Sequence, residues 1–158
     1  MIIHPFEPVF SKDSKTLILG SFPSALSRET RFYYGNERNR FWQVLARVFG
    51  EETPSTITEK IGFVLSHSLA LWDVVYSCDV TGSSDVSIKN VTKNDVASLV
   101  KRSKIDKIIA NGKTAGKLYE KYLERSVGIK ALVRPSTSPA NASYSLEKLV
   151  GYWKVIRE

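Results

Sequence analysis

Four short segments carry most of the side chains capable of chemistry, and each follows an apolar run. Gly20-Ser21-Phe22-Pro23-Ser24 follows Thr16-Leu17-Ile18-Leu19. Trp72-Asp73 follows Leu69-Ala70-Leu71, and Asn111-Gly112 follows Lys107-Ile108-Ile109-Ala110. Ser136-Thr137-Ser138-Pro139 comes shortly after Ile129 to Val133. Asp73 can accept a hydrogen bond from a ring N–H, or it can bond backbone amides at the end of a strand. Asn111-Gly112 opens a helix, so free backbone N–H groups there favour an oxygen or an anion. Ser136 and Ser138 suit phosphate oxygens, and they equally suit an ordinary Ser/Pro turn. Asn39 carries an amide that can orient a water but is a poor proton acceptor, and it also stands where a helix N-cap belongs. Phe22, Tyr33 and Tyr34 offer rings for stacking, or for core packing and loop anchoring.

Apolar periodicity supplies the elements that must hold these groups. Thr16 to Gly20, Leu69 to Val75, Lys107 to Gly112 and Ile129 to Val133 read as buried strands. Helices are expected over Asn39 to Phe49, Pro54 to His67, Asp95 to Arg102, Thr114 to Glu124 and Ser145 to Arg157. Ile57, Ile61, Val64 and Leu65 would share the buried face of the second of these. Asn94 would cap the third. Residues 21–37 and 78–92 read as loops rich in polar residues. Strands alternating with helices predict an α/β domain of three layers, αβα, around a central four-stranded parallel sheet. The expectation is a single domain over residues 1–158, with its site at the carboxyl ends of the strands.

The 158 residues are 42% hydrophobic and carry a net charge of +7. That size supports a substantial core, and the basic balance favours a polyanionic partner. One cysteine, Cys78, excludes intramolecular disulfides and four-thiolate metal sites. Two histidines, His4 and His67, are too few for a three-histidine zinc site. No metal and no cofactor is therefore expected, and Cys78 reads as a small buried hydrophobe. Nothing resembles GxGxxG or a Walker loop.

The ordered segments Leu19-Gly20-Ser21-Phe22-Pro23-Ser24, Tyr33-Tyr34-Gly35-Asn36, Asn39-Arg40-Phe41-Trp42, Leu71-Trp72-Asp73-Val74, Asn111-Gly112-Lys113-Thr114-Ala115 and Pro135-Ser136-Thr137-Ser138-Pro139-Ala140-Asn141 carry a resemblance. Together they resemble the uracil-DNA glycosylase superfamily, and more narrowly its hypoxanthine-DNA (deoxyinosine) glycosylase branch. The likeness runs from His4-Pro5-Phe6 to Trp153. Two departures from the wider superfamily stand out. Phe22 occupies the position where most members present Asp or Asn to the attacking water, and Ser136 stands where the second motif usually begins with His or Asn. The branch relies instead on the Asn of its NxFW segment, here Asn39. It also tends to carry an Arg before its Gly-Ser, where this chain has Asp79-Val80-Thr81 before Gly82-Ser83.

The resemblance implies a monofunctional, metal-free DNA glycosylase that excises a deaminated base, hypoxanthine first, with uracil or a mismatched base as the alternative. A catalytically silent nucleic-acid-binding domain is the alternative from another class. The expected partner is DNA containing a deaminated base, bound by a monomer in the cytoplasm at the nucleoid, with no membrane involved. Asn39 would position the water. Phe22, Tyr33, Tyr34, Trp72, Asp73 and Asn111 would form the base pocket, with Asp73 accepting from the N1–H that distinguishes hypoxanthine from adenine. Ser21, Ser24, Gly112, Lys113, Ser136, Ser138, Pro139 and Asn141 would contact phosphate or wedge into the vacated stack.

Overall fold

The computed structural model describes residues 1–81 and 87–158. Its strands are β1 (Ile2–Ile3), β2 (Thr16–Gly20), β3 (Leu69–Asp73), β4 (Val75–Asp79), β5 (Lys89–Lys93), β6 (Lys107–Asn111) and β7 (Ala131–Arg134). Its helices are α1 (Ala25–Thr30), α2 (Phe41–Phe49), α3 (Ile57–Ser66), α4 (Val96–Lys101), α5 (Lys113–Tyr122), α6 (Glu124–Val127) and α7 (Leu146–Trp153). A 3₁₀ turn over Lys154–Arg157 follows α7.

Four parallel strands in the order β3-β2-β6-β7 form the central sheet, as the alternation predicted. Side chains on β2 divide between the two faces, as a period of two requires. Ile18 packs in one cluster with Phe41, Leu45 and Trp153, while Leu17 and Leu19 pack in the other with Val96, Leu99 and Tyr119. Helices therefore cover both faces, giving the three layers. The register aligns Gly20 with Asp73, and Asn111 with Arg134, so the strand ends form one edge.

The structure corrects five local expectations. The strand expected over Leu69 to Val75 ends at Asp73, and after Val74 the chain enters β4. The two ends of the stretch read as loop from residue 78 to 92 belong to a second, antiparallel sheet of order β1-β4-β5. Gly82-Ser83 lies outside the described residues. The loop from Ser21 to Glu37 contains α1, because the Ser24 hydroxyl accepts from the Ser27 N–H and starts a helix. Asp95, not Asn94, caps α4; Asn94 is buried and donates from Nδ2 to the carbonyls of Asp73 and Val75. In α3 the buried residues are Phe63 and Val64, while Ile57 is 47% exposed beside the Thr56–Glu59 capping box. No helix among the described residues is long and apolar enough to cross a membrane.

Candidate active site

The carboxyl ends of β2, β3 and β6, with the loop after β7, enclose a cleft of about 100 Å³. It gathers ten of the residues singled out from sequence: Ser21, Phe22, Ser24, Tyr33, Tyr34, Asn39, Asp73, Asn111, Ser136 and Ser138. Gly20, Pro23, Ser27, Asn36 and Thr137 complete its wall. Five expected residues lie elsewhere. Trp72 alternates away from Asp73 along β3 and packs against the core. Lys113 and Asn141 line a wider groove on the other side of the Ser136–Ser138 loop, with Arg134, Tyr144 and Tyr152. Gly112 and Pro139 are not part of the cleft wall.

Two glycines bring the walls together. Gly112 has φ +97°, and a Cβ there would stand 3.1 Å from the Ser136 Cβ. A Cβ on Gly20 would stand 2.4 Å from Asp73 Oδ1 and 3.2 Å from the Tyr34 hydroxyl. Their missing side chains thus make room for neighbouring wall residues.

A hydrogen-bonded chain crosses the cleft. Asn111 Nδ2 donates to Thr137 Oγ1 at 3.0 Å, and Thr137 Oγ1 donates to Asn39 Oδ1 at 2.8 Å. The Thr137 backbone N–H returns a bond to Asn111 Oδ1 at 3.1 Å. Asn39 Oδ1 also accepts from the Phe41 N–H at 2.9 Å, so it closes an Asx turn one residue before the N-cap position, which Arg40 occupies. With both lone pairs of Oδ1 engaged, the part of Asn39 that remains for a ligand is the Nδ2 donor. Sequence reading missed Thr137, the fully buried centre of this chain. It sat between two serines expected to face phosphate, and only the register of β6 and β7 brings it to Asn111. Replacing Thr137 with Val deprives two amides of a partner at almost constant volume. We expect Thr137→Val to cost about 1–3 kcal/mol in thermal or urea unfolding, with Thr137→Ser retaining most of that stability.

Asp73 is held from below. His4 Nε2 and Asp73 Oδ2 are 2.8 Å apart, and the two side chains are 2% and 5% exposed. His4 was absent from the sequence-based site, because 69 residues separate it from Asp73. The two are joined through the second sheet, whose pairing the sequence pattern did not reveal.

Rings close the remaining sides. Tyr34 stacks on Phe41 with centroids 3.8 Å apart. The Tyr33 hydroxyl donates to the Glu7 carbonyl at 2.9 Å, while burial, and then the Asp73 carboxylate, push its phenol well above the ordinary value. Phe22 is 9% exposed, with the Arg28 guanidinium 5.7 Å from its ring centroid. Cys78 is buried under the adjoining sheet, where desolvation raises its thiol, consistent with a packing role.

The loop after β7 is largely tied to itself. Ser136 Oγ accepts from the Ser138 N–H, Ser138 Oγ accepts from the Ala140 N–H, and Asn141 Nδ2 donates to the Ser136 carbonyl. Arg40 reaches across to the carbonyls of Asn141 and Tyr144. Asn141 and Arg40 are thus loop clamps here, while Ala140 is exposed at the tip.

Comparisons with known proteins agree with this geometry. Residues 7–157 match the family model described as the Uracil DNA glycosylase superfamily. The chain is 37% identical over 147 residues to the hypoxanthine DNA glycosylase of Methanosarcina acetivorans, covering 92% of each chain. It is 31% identical over 138 residues to the hypoxanthine DNA glycosylase of Methanosarcina barkeri, covering 86% of each. The solution NMR structure of a uracil DNA glycosylase candidate from Methanosarcina acetivorans superimposes with a TM-score of 0.82 at 31% identity, over 99% of this chain and 100% of that one. With the parallel sheet, the cleft at its carboxyl edge and this near-complete coverage, the chain belongs to the uracil DNA glycosylase superfamily.

Proposed function

We propose that this protein is a monofunctional DNA glycosylase that hydrolyses the N-glycosidic bond of hypoxanthine in deoxyinosine-containing DNA, acting as a monomer. The observation that carries the reading is the Asp73 carboxylate at the end of β3, on the wall of the cleft that Asn39 also lines. Hypoxanthine presents N1–H, which a carboxylate accepts; adenine presents a bare N1 lone pair, which a carboxylate repels. The two curated relatives bearing the name hypoxanthine DNA glycosylase support the same base.

The chemistry asks little of the protein. The target base leaves the stack and enters the cleft. As the C–N bond breaks, the sugar becomes cationic and the base takes up negative charge. Asn39 Nδ2, oriented through Thr137, donates to the oxygen of the attacking water and holds it in line; that oxygen bonds to the anomeric carbon and releases its proton to solvent, and the departing base anion takes one up. Phe22 and Tyr34 flank the base, and Asn111 braces Thr137. Among the described residues no lysine lines the cleft, so no Schiff base and no strand cleavage accompany base release. The +7 charge supplies the salt-dependent attraction to the phosphates.

The test uses labelled duplexes carrying deoxyinosine, deoxyuridine, deoxyxanthosine or mismatched thymine, incubated with EDTA and then treated with alkali. Alkali-dependent cleavage at deoxyinosine is the expected result. Cleavage at deoxyuridine alone selects a uracil enzyme, the reading that the name of the NMR relative favours. Binding without cleavage on any duplex selects a silent DNA-binding domain.

A further inference from the structure

His4 is buried against the carboxylate that reaches the cleft, yet the base-removal chemistry above does not use it. Its Nε2 engages Asp73 Oδ2 at 2.8 Å. The other oxygen, Oδ1, lies over the end of β2, so close that a Cβ on Gly20 would come within 2.4 Å of it. The two oxygens of Asp73 therefore have separate surroundings, one fixed by the imidazole and one at the cleft wall.

In the native fold the imidazole is enclosed on several sides. β1 pairs with β4 in the register Ile3↔Ser77, and the His4 N–H donates to the Tyr76 carbonyl at 2.7 Å. The rings of Phe6, Phe22 and Tyr33 surround it, with centroids 4.7, 6.0 and 6.1 Å away. Among the described residues its buried Nδ1 has no hydrogen-bond partner. An unsatisfied ring nitrogen in an aromatic pocket is unfavourable, so packing alone does not account for a histidine here.

We propose that His4 is a positioning residue that fixes Asp73 as an acceptor for the ring proton created by deamination. Adenine N1 and cytosine N3 are bare acceptors. In hypoxanthine and uracil the same ring positions carry N–H. A carboxylate whose Oδ2 is anchored by an imidazole N–H presents only lone pairs through Oδ1 and cannot swing away from the base edge. The pair thus reads the change from acceptor to donor, a feature shared by both deaminated bases. The inference rests on the cleft being the base pocket proposed above.

Two variants isolate the anchor. His4→Leu removes the N–H, and His4→Gln returns a side-chain N–H of similar reach. Single-turnover excision is measured on matched duplexes carrying hypoxanthine, adenine, uracil or cytosine, with a melting curve for each protein. The expected result is a loss of at least about tenfold in the preference for hypoxanthine over adenine with His4→Leu, mostly restored by His4→Gln. Should His4→Leu fail to fold, His4→Asn, whose amide is one methylene shorter than that of Gln, takes its place. Equal preference in all the proteins overturns the role of His4 and leaves the proposed function standing. A wild-type protein that excises uracil but not hypoxanthine overturns the proposed base, and the same loss and rescue are then read from uracil against cytosine. Excision of neither base overturns both.

Discussion

Asn39→Ala should lower single-turnover excision of hypoxanthine by about 10²–10³-fold, the usual cost of deleting one preorganised donor from a reacting centre. The same variant should lose about 0.5–2 kcal/mol of stability, because Asn39 Oδ1 caps the Phe41 N–H and takes the Thr137 hydroxyl. Asn39→Asp separates the two roles. It keeps both accepted bonds, so the melting temperature recovers. It replaces the Nδ2 donor with an acceptor, so the rate stays low. Full activity in Asn39→Ala would refute the assignment, and full activity in Asn39→Asp would show that the group acts by accepting a proton from water.

Asp73→Asn carries the second large effect, on selectivity more than on rate. The substitution is nearly isosteric, and the amide oxygen can still accept from His4 Nε2. The amide NH₂ then faces the cleft, where it repels the hypoxanthine N1–H and suits the adenine N1 lone pair. Sites built to satisfy a substrate N–H discriminate by up to about 10⁴–10⁵, so the hypoxanthine preference should fall by about a hundredfold or more. Competition between deoxyinosine and deoxyadenosine duplexes of the same sequence measures it. Unchanged preference in a folded Asp73→Asn protein would remove Asp73 from base reading.

Where the sequence was legible, local pattern carried the information. Continuous apolar runs such as Leu17-Ile18-Leu19 announce strands buried on both faces, and their alternation with helices dictates parallel pairing. The site edge followed, since polar and small residues gather just after those runs. The antiparallel sheet was illegible for the converse reason. β1 has two residues, and β5, Lys-Asn-Val-Thr-Lys, is an exposed, charged strand with no apolar alternation to betray it. Its partner β4 begins two residues beyond the end of β3, so the expected strand ran on to Val75 and the rest of β4 was passed over. Trp72 and Asp73 were both expected in the pocket, but neighbours on a strand face opposite sides, and only Asp73 lines the cleft. Thr137 and His4 fell outside local pattern altogether, because their partners lie 98 and 69 residues away.

The junction at Val74 joins two sheets of unequal robustness. Asp73 closes the buried parallel sheet, while His4 hangs from the two-residue β1 on the antiparallel one. Proteins open in cooperative units, and a two-residue edge pairing in a sheet of irregular register belongs to the low-stability end of that range. Lifting β1 from β4 would withdraw the imidazole from the carboxylate, and β1 makes no pairing with the central sheet. If the pair selects the base as proposed, the fidelity of this enzyme is a thermodynamic property of a peripheral foldon: warming or mild denaturant would erode its accuracy before its fold.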